Sequence, residues 1–235
     1  MTPGTTLAAF GAESQRLSQV LASTDDVAFA RPTACVPWTV AELAQHVRMT
    51  MSRLPDMLAA SASASSVHPP GVELVSAVAY YRPDQRFSAA TNADRIDTAQ
   101  QGAAALPDAA ARARDFADAR QQAWELLQAT PPDRIVRTRH GDPMLLTEFL
   151  RTRVLELAVH GLDLAAALNR EPWMTAQAAE VTAHLLLPPP AADRLRAKTG
   201  WDEVTMIAKL TGRSPTTPSE TQHIRSLGAR RLVFG

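Results

Sequence analysis

The sequence predicts a mainly α protein: an up-and-down four-helix bundle with a long crossover and a small C-terminal α or α/β unit. Three observations predict it. Four long segments carry apolar residues at helical spacing between capping or proline signals. The stretch from residue 61 to 106 is rich in Ser, Ala and Pro. At 235 residues the chain also exceeds the usual domain size of about 100–150 residues, which leaves room for an appendage. The expected division is residues 1–170 for the bundle and 171–235 for the smaller unit.

Leu7, Phe10, Leu17, Val20 and Leu21 define a first helix over Thr5 to Ala22. Glu13 and Arg16 interrupt its apolar character and no basic leader precedes it, so the segment reads as structural and not as a signal peptide. In "PWTVAEL", Thr39 followed three residues later by Glu42 is a capping box, and Trp38 and Leu43 flank it as a hydrophobic staple. A second helix therefore starts at Thr39, with Val40, Leu43, Val47, Met51 and Leu54 on one face. The crossover carries turn signals in "VHPPG", "YRPDQ" and "TNADR". A connection of that length is expected to hold short elements of its own, near Val72 to Tyr80 and Ala93 to Gln101.

A third helix opens after Pro107 and closes before Pro131, with Phe116, Trp124 and Leu127 on its packing face. "DRIVRTRHGDPMLLTEF" alternates around a His-Gly-Asp-Pro turn and predicts an extended or hairpin segment over Ile135 to Leu146. A fourth helix runs from Thr147 to Leu168, with Glu148 favourable in its first turn. "TAQAAEVTAHLLLPPP" predicts a fifth helix stopped by three prolines. A short helix at Asp202 to Leu210 and a strand at Leu232 to Phe234 complete the chain, and no internal repeat is present.

Lys plus Arg balances Asp plus Glu at 24 each, and no basic block or stripe marks a nucleic-acid partner. No apolar run approaches the roughly 20 residues that span a bilayer. Cys35 is the only cysteine, which excludes an intramolecular disulfide and a Cys-rich zinc site and fits a reducing, cytoplasmic location. Just before the Pro-Trp-Thr turn, Cys35 is expected to serve as a small apolar filler.

The most informative stretch is "VLELAVHGLDLAAAL", where Glu156, His160 and Asp163 are the only polar side chains. They fall within roughly 60° around the helix. One reading is a thin strip facing water. The other is a metal site, because a carboxylate and an imidazole one turn apart reach the same point beside the helix. His46 is the candidate third ligand. In a bundle whose second and fourth helices run parallel, it lies roughly 10 Å from its helix start, against roughly 14 and 20 Å for Glu156 and His160. "EVTAH" repeats the spacing with Glu180 and His184 but lacks a third partner at matching depth, so it reads as a surface pair. The separation alone is thus weak evidence, and the combination carries the reading.

"VPWTVAELAQHV" and "RTRVLELAVHGLDLAAAL" resemble the mycothiol-dependent maleylpyruvate isomerase family of DinB-like four-helix-bundle metalloenzymes. "GWDEVTMIAKLTGR" is similar to a C-terminal segment of many members. The resemblance implies Zn2+ held by His46, Glu156 and His160, with a fourth position open to the thiol of mycothiol. In the family's chemistry that thiolate adds to a conjugated double bond, allows rotation and leaves; an S-transferase stops after attack on its electrophile. Asp163 is the candidate to orient a ligand histidine. Arg82, Arg86, Arg153 and Arg213 are candidates to bind the thiol cofactor or an anionic substrate, and Tyr80, Tyr81 and Trp38 to line the pocket.

The chain departs from the founding isomerase after Glu171, where it is short and interrupted by proline instead of forming a compact α/β domain. Isomerase and transferase therefore both remain open. The expected partners are a small electrophile and a low-molecular-weight thiol, in a monomer or homodimer. Two other readings stand beside this one: a metal- or ligand-binding bundle without catalysis, and a helical interaction module. A di-iron site is disfavoured, since it needs two Glu-x-x-His motifs and further glutamates.

Overall fold

The computed structural model describes residues 2–62, 73–82, 84 and 87–229, with 61 and 62 described by their backbone only. In chain order the helices are α1 (Pro3–Ala22), α2 (Asp26–Phe29), α3 (Val40–Ser52), α4 (Leu54–Ala62), α5 (Ala77–Tyr80), α6 (Ala89–Ala104) and α7 (Ala109–Ala129). The strands β1 (Ile135–Arg137) and β2 (Pro143–Leu145) follow, then α8 (Leu146–Leu168), α9 (Ala176–Leu186), α10 (Pro189–Thr199), α11 (Glu203–Leu210) and α12 (Pro218–Ser226). α1 and α3 each pack against both α7 and α8, which closes the four-helix bundle, and α6 lies against α3.

Side-chain caps set most helix starts. Thr39 accepts from the Glu42 amide while Glu42 Oε2 takes the Thr39 amide at 2.7 Å, completing the capping box that fixes where α3 begins. Val40, Leu43, Val47, Met51 and Leu54 are all fully buried, as their spacing predicts. The second helix is interrupted, however: α3 ends at Ser52, with Arg53 as its C-cap, and the chain restarts at Leu54 as α4. In the crossover, α5 begins at Ala77, whose amide donates to Glu148 Oε2 at 2.7 Å. Glu148 thus caps a neighbouring helix as well as lying in the first turn of α8.

β1 and β2 pair antiparallel in the register Ile135–Leu145, Val136–Met144 and Arg137–Pro143. Gly141 in the connecting turn has φ +84°, a conformation that favours glycine.

Beyond the bundle, α9 packs on α1 and α8, while α11 packs on α9 and α8. The triple proline does two jobs, since Pro189 and Pro190 open α10, where a missing amide costs no intrahelical bond. The sequence reading took these prolines only as a stop and missed α10. It also missed α12, although Thr217, Pro218 and Glu220 form a second capping box. The predicted strand at Leu232 to Phe234 lies outside the described residues, and so does Val72 in the first crossover helix. Glu180 is exposed and His184 half-buried on α9. No helix among the described residues is long and apolar enough to cross a membrane.

α8 explains its own composition. Val154, Leu157, Ala158, Leu164 and Ala165 join the bundle core with Phe10, Leu43 and Val47. Leu155, Val159 and Leu162 join a second core with Met206, Ile207 and Leu210 of α11. A helix packed on both sides reads as apolar all round.

Glu13 of α1 is buried behind α8, and its Oε2 accepts the Thr175 amide at 2.8 Å. Burial pushes its carboxyl above the ordinary 4.5, and the Thr175 bonds and Arg16 offset only part of this. The folded protein therefore holds this proton more tightly than the unfolded chain, so the group's contribution to stability is lost as pH rises from 4.5 through the folded value. Thermal melts should show the parent losing stability relative to Glu13→Gln as pH rises above 4.5. A difference between the two proteins that stays constant as pH rises would contradict this.

Candidate metal centre

His46 projects from the second turn of α3, and Glu156 and His160 lie one turn apart on α8. One ligand atom from each can be chosen so that all three lie within 4.8 Å of one another, and this group could hold a metal ion. His160 Nε2 stands 3.4 Å from Glu156 Oε2. The His46 and His160 rings meet edge to face at 5.2 Å and 90°. The three form part of the wall of a cavity of about 490 Å³. Trp38, placed by the capped start of α3, stacks on His46 at 4.6 Å and 25°, which fixes that ring. The Tyr81 hydroxyl lies 3.2 Å from Glu156 Oε1 and 3.1 Å from the Thr152 carbonyl oxygen, which holds the carboxylate from its other side.

Asp163 lies behind this group. It is 3 % exposed, which removes the reading of the stripe as a solvent-facing strip. His160 Nδ1 donates to Asp163 Oδ2 at 3.0 Å, leaving Nε2 directed toward Glu156. The Cys35 thiol donates to the same oxygen at 3.1 Å, so Cys35 is not the apolar filler its position implied. Arg213 closes the arrangement with a fork: Nε to Asp163 Oδ1 at 3.0 Å and Nη2 to Oδ2 at 2.9 Å. Cys35, His160 and Asp163 form a second group with metal-ligand geometry. Its carboxylate is already neutralised by Arg213, so the group acts as hydrogen-bonded support for His160.

The electrostatics match this division. Burial, and then the neighbouring His160, push His46 down to about 3, so it is a neutral imidazole with a free lone pair at physiological pH. Burial alone would raise Glu156, but the His160 hydrogen bond and the Arg153 and His160 charges outweigh it and hold the carboxyl well below the usual range. Burial likewise opposes a charged His160, yet its bonds to Asp163, Cys35 and Glu156 keep it well above the ordinary 6.5. For Asp163, burial is overcome by His160 and Arg213, and the group stays ionised. A deprotonated carboxylate, a neutral imidazole, and a second imidazole that would give up its Nε2 proton on binding the ion are a donor set that suits zinc. His46 Nδ1 is also buried without a hydrogen-bond partner among the described residues.

The predicted cofactor-binding arginines separate. Arg153 lines the cavity, its guanidinium 5.7 Å above the Tyr80 ring and 4.8 Å above that of Phe149. Arg82 does not line it, because it is drawn to Asp84 and Asp142 at 3.1 and 3.0 Å. Arg213 bonds to Asp163 instead of facing the cavity, and Arg86 lies outside the described residues. Three lining arginines were missed: Arg53, Arg95 and Arg139. Arg53 had a signal, since it follows His46 by seven residues, two helical turns. Arg95 and Arg139 come from the crossover and the hairpin, whose approach to the cavity no local pattern announces.

Fold and site together define a helical-bundle protein with an internal His/Glu/His group capable of metal binding. Residues 10–165 match the family model of the mycothiol maleylpyruvate isomerase N-terminal domain. The chain belongs to that family, and its bundle is of the DinB-like kind. No curated protein and no solved structure matches the chain.

Because a ligand that binds only the folded state raises its melting temperature, added zinc should stabilise the parent by about 3–4 kcal/mol at 100 to 1,000 times its dissociation constant. Glu156→Ala should lose most of that gain. An equal rise in both proteins, measured by thermal melts with and without zinc, would contradict the assignment.

Proposed function

We propose that this protein is a zinc-dependent enzyme that uses a low-molecular-weight thiol, mycothiol by family, against a small anionic electrophile. The reaction class is S-transfer or cis-trans isomerisation. Zinc at His46, Glu156 and His160 would supply the positive charge that keeps a bound thiol deprotonated and nucleophilic. The chain's own residues do the rest. Asp163 keeps the His160 Nδ1 proton in place, so that Nε2 is the nitrogen that would lose its proton to face the ion, and Trp38 and Tyr81 hold His46 and Glu156 in orientation.

The observation that carries the reading is the charge of the cavity wall. Arg53, Arg95, Arg139 and Arg153 line it, and Glu156 is the only acidic residue among the described residues that do. Burial, together with the repulsion of Arg139 and Arg153, pulls Arg53 below its ordinary value. A bound carboxylate would relieve that repulsion. Val36 and Phe87, both exposed, also line the cavity and offer apolar contact to the rest of the substrate. Cytoplasmic thiol chemistry fits the single reduced cysteine.

The test is mass spectrometry of reactions containing protein, zinc, mycothiol and a panel of carboxylated and uncarboxylated electrophiles. A thioether conjugate or an isomerised product, dependent on both thiol and zinc and favouring carboxylates, supports the reading. Zinc binding without any thiol-dependent product would contradict the enzymatic part. Arg53→Met should raise KM for the carboxylated substrate roughly 10-fold, the value of one charged hydrogen bond, while kcat changes little.

A further inference from the structure

"GWDEVTMIAKLTGR" lies beyond the matched residues 10–165, and the proposed chemistry gives it no role. Its last residue nevertheless reaches the site. α11 ends at Leu210, Gly212 turns the chain with φ +78°, and the Arg213 amide bonds back to the Ala208 carbonyl at 2.7 Å. The turn directs the guanidinium onto α8. Nε and Nη2 grip both oxygens of Asp163, and Nη1 donates to the Thr211 carbonyl at 2.8 Å. The Arg213 side chain is 10 % exposed and that of Asp163 3 %.

Asp163 Oδ2 therefore receives three donors: the Cys35 thiol, His160 Nδ1 and Arg213 Nη2. A carboxylate with one partner can rotate. One gripped through both oxygens by a planar fork cannot, and its direction sets the plane of the imidazole that bonds to it. Arg213 also lowers the electron density that Asp163 passes to His160, so it adjusts how strongly that histidine donates.

We infer that Arg213 is a positioning residue for the metal centre: through Asp163 it fixes the orientation and donor strength of His160, making the C-terminal unit part of the site. The inference rests on the metal reading proposed above. It assigns Arg213 to ligand support instead of to substrate or thiol binding.

Zinc affinity by chelator competition tests it without reference to turnover, with the visible spectrum of the cobalt-substituted protein as a second readout. Arg213→Met should bind zinc about 10- to 100-fold more weakly than the parent, the usual effect of losing a partner behind a ligand. Its cobalt bands should shift. Arg213→Lys should recover part of the affinity, since it restores the charge without the fork. In an Asp163→Asn background the Arg213→Met change should cost little further, because the two act in series. Arg196→Met, which removes a cation of α10 paired with Asp193 and Glu203, should leave affinity and spectrum at the parent's values.

Parent-like zinc affinity in folded Arg213→Met overturns the inference, and so does an undiminished loss in the Asp163→Asn background. A loss of affinity in Arg196→Met equal to that in Arg213→Met would reduce the effect to general destabilisation and overturn it as well. A parent that binds no zinc overturns the metal reading itself, a result distinct from the others.

Discussion

Between Thr152 and Ala165, α8 is packed on one side by the bundle core and on the other by the core shared with α9–α12. A charged side chain on such a helix has little water to retreat to beyond the cavity, so each is matched largely inside the protein. Three of the four charged or ionisable groups there are Glu156, His160 and Asp163, and the fourth is Arg153. Glu156 meets His160 and Tyr81, His160 meets Asp163, and Asp163 meets Cys35 and Arg213. The site is thus a consequence of where the helix lies. The surrounding segments are arranged to supply its partners: the α2–α3 loop brings Cys35, α3 brings His46, α5 ends next to Tyr81, and the turn after α11 brings Arg213.

This burial also explains the unequal legibility of the sequence. The capping box at Thr39, the buried face from Val40 to Leu54 and the hairpin around Gly141 depend on neighbours a few residues away, and local pattern suffices for them. The grouping of His46 with Glu156 and His160 was readable because helical depth converts sequence position into distance. The partners of Asp163 were not readable, since Cys35 and Arg213 reach it through a loop and a turn whose paths depend on the whole packing. Thr217 with Glu220 is different: its capping signal is local and legible in the sequence, and it starts α12. The prolines at 188 to 190 are ambiguous in the sequence because a proline both ends one helix and begins another, and the burial of Leu195 against the second core decides for α10.

The cavity and the support behind it differ in character. In front of the possible metal group, the wall is basic and apolar and is built from several separate segments, the arrangement expected where substrate identity is set. Behind it, hydrogen bonds are short, buried and mutually dependent. Family membership covers the bundle that carries His46, Glu156 and His160, whereas Arg213 lies outside the matched span.

The central claim is that His46, Glu156 and His160 hold one metal ion between them. Anomalous diffraction at the zinc edge, from crystals grown with zinc, tests it most directly. The account predicts a single strong peak bonded to His46, Glu156 and His160, with Asp163 still held by Arg213. No peak among these residues, or a peak seated on Cys35 and Asp163 with Arg213 displaced, would contradict it.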